Sequence, residues 1–150
     1  MFYTKYKEIT REFNFSASLK KSDLPGYINH YILSDEQIIA AYKTLRDHGV
    51  FTDRKIVLFD NYSQQKIRKT IFTIFYSSIT TISVTFEVDK AKIDILLDNG
   101  YPVHLNFIDV KPEDKVRLRL LYTCISRVIE GKEPLKENIK RIWNDEVNFK

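Results

Sequence analysis

The sequence predicts a mainly β domain with accompanying helices. Seven short strands should form an antiparallel barrel or sandwich closed by a C-terminal helix, with an extra amphipathic helix at each terminus. Three observations carry this. Between residues 37 and 107, β-branched and aromatic runs alternate with polar turns at close spacing. Within that span, the stretch Arg46 to Asp60 (RDHGVFTDRKIVLFD) reads as a tight hairpin, with Gly49–Thr52 and Ile56–Phe59 flanking Asp53-Arg54-Lys55. From Pro112 onward the apolar period changes from two to 3.6 and does not change back.

The elements follow in order. Phe2, Tyr6, Ile9 and Phe13 recur at spacings of four, three and four, which predicts a helix over 1–14 with one apolar stripe. Asn14 to Lys21 is small and polar and reads as a connector. Ser22 or Asp23 can cap a short helix through Tyr31, where Pro25 fits only the first turn. Gln37 to Leu45 is the first strand, and the hairpin supplies the next two. Lys66 to Tyr76 is the fourth, a long strand whose Lys66, Arg68 and Lys69 read chiefly as guards of an otherwise open edge, and alternatively as an anion-binding face together with Lys90 and Lys92. Ile79 to Glu87 alternates cleanly, Ile82, Val84 and Phe86 opposing Thr81, Ser83 and Thr85. Ala91 to Leu97, the turn Asp98-Asn99-Gly100, and Tyr101 to Phe107 complete the set. Pro112 suits a first helical position, Glu113 and Asp114 complement the helix N-terminus, and Gly131 ends the helix. On it Leu118, Leu121, Cys124, Ile125, Val128 and Ile129 share one face. A last amphipathic helix over 134–147 carries Leu135, Ile139, Ile142 and Trp143 on one stripe.

Composition bounds the function. The chain of 150 residues is expected to be one domain, with its core at about 24–131. Hydrophobic residues at 43% and charged ones at 29% place it among folded globular proteins, and ten Phe with nine Tyr suit a β-rich core. No apolar run is long enough to span a bilayer, and the charged N-terminus does not read as a secretory signal, so a cytoplasmic protein is expected. The single cysteine, Cys124, allows neither an internal disulfide nor a Cys-rich zinc site. His30, His48 and His104 are scattered without metal-ligand spacing, and neither a nucleophile elbow nor a Gly-rich phosphate loop is present. Hence no catalytic residues, metal or cofactor are expected, and the chain reads as a non-enzyme.

The segments SDEQIIAAYKTLRDHGVFTDRKIVLFD and IFYSSITTISVTFEVDKAKIDILLDNG resemble the bacterial pleckstrin-homology-like (bacterial PH) domain family. The positions that carry the resemblance are Arg46, Asp47, Val50, Phe51, Thr52, Tyr76, Ser78 and Ile79, and the likeness extends from about Leu24 to Glu130. It implies a PH-like barrel, the absence of enzymatic activity, and a tendency to self-assemble.

Two readings of function follow, from different classes. In the first, the spare amphipathic termini act as an oligomer or partner interface through Phe2, Tyr6, Ile9, Phe13, Leu135, Ile139, Ile142 and Trp143, either folding back or exchanging between subunits. This makes the chain a module for self-assembly and protein binding, expected to be a homo-oligomer or to hold a protein partner. In the second, the net charge of +4 and the positions Lys43, Arg46, Arg54 and Lys55 form a modest basic patch for a small anionic ligand or an anionic membrane. Nucleic acid is not an expected partner, because no recognition helix or Arg-interleaved stacking platform is evident.

Overall fold

The computed structural model describes residues 13–44, 47–60 and 70–143. The stripe positions Phe2, Tyr6 and Ile9, together with Arg46, Lys66, Arg68 and Lys69, lie outside the described residues. The seven expected strands are present as β2 (Ile38–Thr44), β3 (His48–Thr52), β4 (Lys55–Asp60), β5 (Thr70–Phe75), β6 (Ile79–Phe86), β7 (Ala91–Leu97) and β8 (Pro102–Phe107). An eighth, β1 (Phe13–Ser18), precedes them where a connector was expected. Phe13 and Phe15 there alternate with exposed Asn14 and Ser16, a period of two rather than the helical period read from Phe2 onward. Phe15 stacks on Phe107 with centroids 4.9 Å apart and also meets Tyr42 and Phe51, so burial of that ring decides the backbone.

All eight strands belong to one sheet in the order β5-β4-β3-β2-β1-β8-β7-β6. β1 pairs antiparallel with β2 and parallel with β8 (Phe13 opposite Leu105, Phe15 opposite Phe107), and every other pair is antiparallel. Among the described residues the expected closed barrel is therefore an open sheet ending at β5 and β6. It curls strongly, since Phe13 on β1 reaches Phe72 on β5, four strands away, at a centroid distance of 5.6 Å. The two ends are joined through a 3-10 corner, Tyr76–Ser78.

Among the described residues two α-helices pack on the sheet. α1 (Pro112–Ile129) starts with Pro112 in its first turn, where Asp114 accepts a hydrogen bond from the Lys111 N–H at 3.0 Å. Gly131, at φ 83°, follows its end. Leu118, Leu121, Cys124 and Ile125 are buried as expected, while Val128 and Ile129 are only half-buried, and Leu120 and Arg117 are buried as well. Arg117 escapes the apolar pattern because Asp114, 2.6 Å from its guanidinium, accompanies it inward. α2 (Lys136–Trp143) then folds back onto α1 and β2.

A second, smaller core lies on the other face of β2–β4. Ala41, Val50, Val57 and Phe59 meet Ile28, Leu24, Tyr27 and Ile32 of the segment before β2. Strands buried on both faces need not alternate, which accounts for the continuous apolar runs of the hairpin. That covering segment is not the expected α-helix but two 3-10 turns, Lys21–Asp23 and Gly26–Tyr31. Pro25 holds the preceding Leu24 extended (φ −78°, ψ 133°), so the chain must begin a new turn after it.

Candidate functional site

The described polar clusters are structural. At the β3–β4 turn, Glu36 and Thr52 are buried, and the Thr52 hydroxyl donates to the Glu36 carboxylate. Glu36 also accepts from the Leu33 N–H and from Lys55 Nζ, each at 3.0 Å. Burial favours the neutral acid, but these three donors together hold the carboxyl below its ordinary range. Tyr76, also buried, donates to the Thr52 carbonyl at 2.8 Å, and Arg54 pairs with Asp35 at 2.9 Å. The network ties residues 33–37, the turn and the Tyr76 corner together. With its donors and acceptors mutually matched, it fastens the fold.

Among the described residues of the expected basic patch, Lys43 is not gathered with Arg54 and Lys55. Lys43 faces His48 at one end of the β2–β3 ladder, whereas Arg54 and Lys55 follow Thr52, which faces Ile38 at the other. Roughly 16 Å of strand separates them, at ~3.3 Å per residue. Arg54 and Lys55 are, moreover, already engaged by Asp35 and Glu36. Near Lys43, buried Asp47 takes the Tyr27 hydroxyl and sits 2.6 Å from His48 Nδ1, placing a carboxylate where an anion was expected to bind. Burial, first, and then the Asp47 carboxylate push the Tyr27 phenol above its ordinary range.

The C-terminal stripe folds onto the chain itself. Ile139 and Ile142 are buried in the main core, Trp143 donates from Nε1 to the Ile38 carbonyl at 3.2 Å, and Lys21 Nζ lies 5.2 Å above the Trp143 ring. Leu135 stays 45% exposed. Cys124 is fully buried, and burial pushes its thiol up to about 11, away from nucleophilic chemistry. Among the described residues no three His, Cys, Asp or Glu gather as metal ligands, and no helix is long and apolar enough to cross a membrane.

The surface best placed to bind is the β6 end of the sheet. Its eight residues, ITTISVTF, contain no charge, no Pro and no Gly. Glu87 N–H donates to the Lys90 carbonyl at the β6–β7 turn, so by alternation Thr85 and Ser83 bond toward β7. The backbone groups of Ile82, Val84 and Phe86 then point outward. The Tyr122 hydroxyl of α1 caps the Ile82 carbonyl at 3.2 Å. Phe86, Leu96 and Val88 are exposed beside this edge, Val88 by 91%. The sequence displays the uncharged run plainly, but its place at an end of the sheet is a matter of topology; the edge strand expected over residues 66–76 is, in its described part, the sheet's other end, β5. A separate apolar hollow of about 260 Å³ lies where β5 approaches the corner, lined by Phe13, Phe72, Ile74, Phe75, Ser78 and Leu97 among others.

A family model described as "Bacterial PH domain" matches residues 9–129. No protein of curated function matches the chain. Among solved structures, a DUF1696 family protein with a pleckstrin-homology domain from Shewanella loihica PV-4 is similar, with 23% identity and a TM-score of 0.58 over 75% of this chain and 96% of that one. A PH-domain-containing protein from Exiguobacterium sibiricum 255-15 is 16% identical with a TM-score of 0.58, over 80% of this chain and 63% of its own. The likeness to these structures is one of fold. With the family model spanning most of its length, from before β1 to the end of α1, this chain belongs to the bacterial PH domain family.

Proposed function

We propose that this chain is a non-catalytic PH-like module that works by self-assembly, a second copy adding to the open edge of β6. The observation that carries the reading is the outward backbone of Val84 and Phe86 on a strand with no charged residue. Open edges are commonly guarded by Lys, Pro or an inward charge, and such guards are absent from β6. The edge is also self-complementary. Antiparallel pairing about a two-fold axis at Val84 sets Ile82 against Phe86 and Ser83 against Thr85, while Glu87 falls opposite Thr81, so no like charges meet. Tyr122 satisfies one carbonyl of the edge and leaves its outer half accessible to a partner strand.

Light scattering after size exclusion tests this. The unaltered chain is expected to run as a dimer or larger assembly. Phe86→Pro removes an outward N–H without touching the β7 ladder, and it is expected to shift the chain to monomer with its circular dichroism unchanged. A strict monomer at all concentrations, or an assembly indifferent to Phe86→Pro and to a paired Ser83→Lys/Thr85→Lys change, overturns the reading.

A further inference from the structure

We infer that the groove between Lys21–Pro25 and residues 32–38 binds a small amphipathic anion, an aliphatic carboxylate whose head meets Lys21 and whose tail lies on the groove's aliphatic surface. No residue of this groove belongs to β6.

Size and rigidity come first. The groove has a volume of about 790 Å³, against about 260 Å³ for the hollow beside β5. Sites for small molecules commonly measure about 300–1,000 Å³ and are largely formed before the ligand arrives. Here the walls are fastened at several points. Leu24 and Ile32 pack on the second core over β2–β4. The Glu36 N–H donates to the Leu33 carbonyl at 3.0 Å, the Gln37 N–H donates to Asp53 at 3.1 Å, and the Ile38 carbonyl accepts from Trp143.

The lining selects the tail. Leu24, Pro25, Ile32, Leu33 and Ile38 give an aliphatic surface, and Leu33 keeps 56% of its area exposed. Among the described residues no aromatic ring lines the groove, so it suits a flexible aliphatic chain better than a planar ring that must stack.

Charge selects the head. The charged residues of the lining are Lys21, Asp35 and Glu36. Asp35 is paired with Arg54, and Glu36 is matched by Thr52, the Leu33 N–H and Lys55. Each carboxylate thus has its own cation. Lys21 has no such counterpart among the described residues. Its Nζ lies 5.2 Å above the Trp143 ring, which attracts an ammonium without neutralising it. Asp23, the nearest acid in sequence, accepts instead from the Lys20 N–H at 3.2 Å. Among the described residues, then, the groove holds one uncompensated positive charge beside apolar surface. Asn29 and Gln37, also in the lining, carry amide N–H donors suited to a carboxylate.

Isothermal titration calorimetry of the full chain with hexanoate, octanoate and decanoate tests the inference. Saturable binding is expected, tightening about fourfold for each added methylene. Lys21→Gln is expected to weaken octanoate about tenfold, the loss of one charge-assisted hydrogen bond, with circular dichroism unchanged. Lys20→Gln should bind as the unaltered chain does, and Leu33→Asp should bind octanoate more weakly. 1-Octanol, which keeps the tail and lacks the charge, should bind no better than octanoate binds Lys21→Gln. Trp143 is the chain's single tryptophan, so octanoate that draws Lys21 from the ring should change its fluorescence with the calorimetric midpoint.

Absence of octanoate binding at millimolar concentration overturns the inference, as does an affinity independent of tail length or equal in Lys21→Gln and Lys20→Gln. Binding to phosphatidylglycerol vesicles without binding of octanoate assigns the anion to a membrane and overturns it too. Phe86→Pro should leave every one of these readings unchanged, which separates failure here from failure of assembly at β6.

Discussion

Gly49 shows how much one missing Cβ can matter. A methyl group there would meet Phe15 Cε1 at 2.5 Å and Leu58 Cδ2 at 3.1 Å, and the Phe15 ring is held between Phe107 and Tyr42. The ring has no room to retreat. Gly49→Ala is therefore expected to destabilise by about 1–3 kcal/mol, measured by denaturant unfolding. At the β3–β4 turn, Glu36 supplies a pH dependence whose sign can be worked out. Its folded-state carboxyl sits below the ordinary value of about 4.3, so its stabilising effect is complete above that value. The effect disappears as pH falls through the lower, folded-state pKa. Glu36→Gln is expected to lose stability at neutral pH and to flatten the acid limb of a stability-versus-pH curve. A variant with an unchanged acid limb would show that other carboxylates set it.

The elements owe their character to what covers them. β6 alternates because one face is wet, while β3 does not because both of its faces are dry. α1 was legible in detail, from Pro112 at its start to Gly131 after its end, because caps and the helical period are local signals. Arg117 was not, since its burial depends on Asp114 and on Ser18, whose Oγ lies 3.4 Å away and almost a hundred positions earlier in the chain. α2 is a structural element as well as an amphipathic one. Ile142→Ala is expected to cost about 2–5 kcal/mol by chemical denaturation, because it empties a buried site shared with α1 and β2. Removing residues 134–150 should accordingly lower the melting temperature of the chain at any concentration, rather than act only on its assembly.

At the scale of the whole fold, the decisive feature is a sheet whose eight described strands curl without pairing its ends. α1 lies over the β6 end and the Tyr76 corner, with Tyr122 bonded to the edge itself. Tyr122→Phe frees the Ile82 carbonyl while keeping the ring, so it is expected to strengthen self-association through β6 by up to about tenfold. That corresponds to roughly 1.4 kcal/mol, within the range for one recovered hydrogen bond. Analytical ultracentrifugation of the two proteins over a concentration series checks it, and weaker association in the variant would count against an exposed β6 edge.

Periodicity, turn chemistry and helix capping act between near neighbours, and from them β2 to β8 and both C-terminal helices could be read directly. The family likeness was legible for the same reason, resting on runs such as VFT and the step through Tyr76 into β6. Where β1 pairs, which strands end the sheet, and which basic side chains meet are set by contacts between residues distant in the chain. Phe13 became a strand residue because Leu105 and Phe72 were there to receive it. Lys43 and Arg54, only eleven positions apart in sequence, were drawn to opposite ends of one ladder by the hairpin between them. Local preferences are worth a fraction of a kcal/mol per residue, whereas burying a large apolar side chain is worth about 1.5–3 kcal/mol. Wherever the two compete, distant packing prevails.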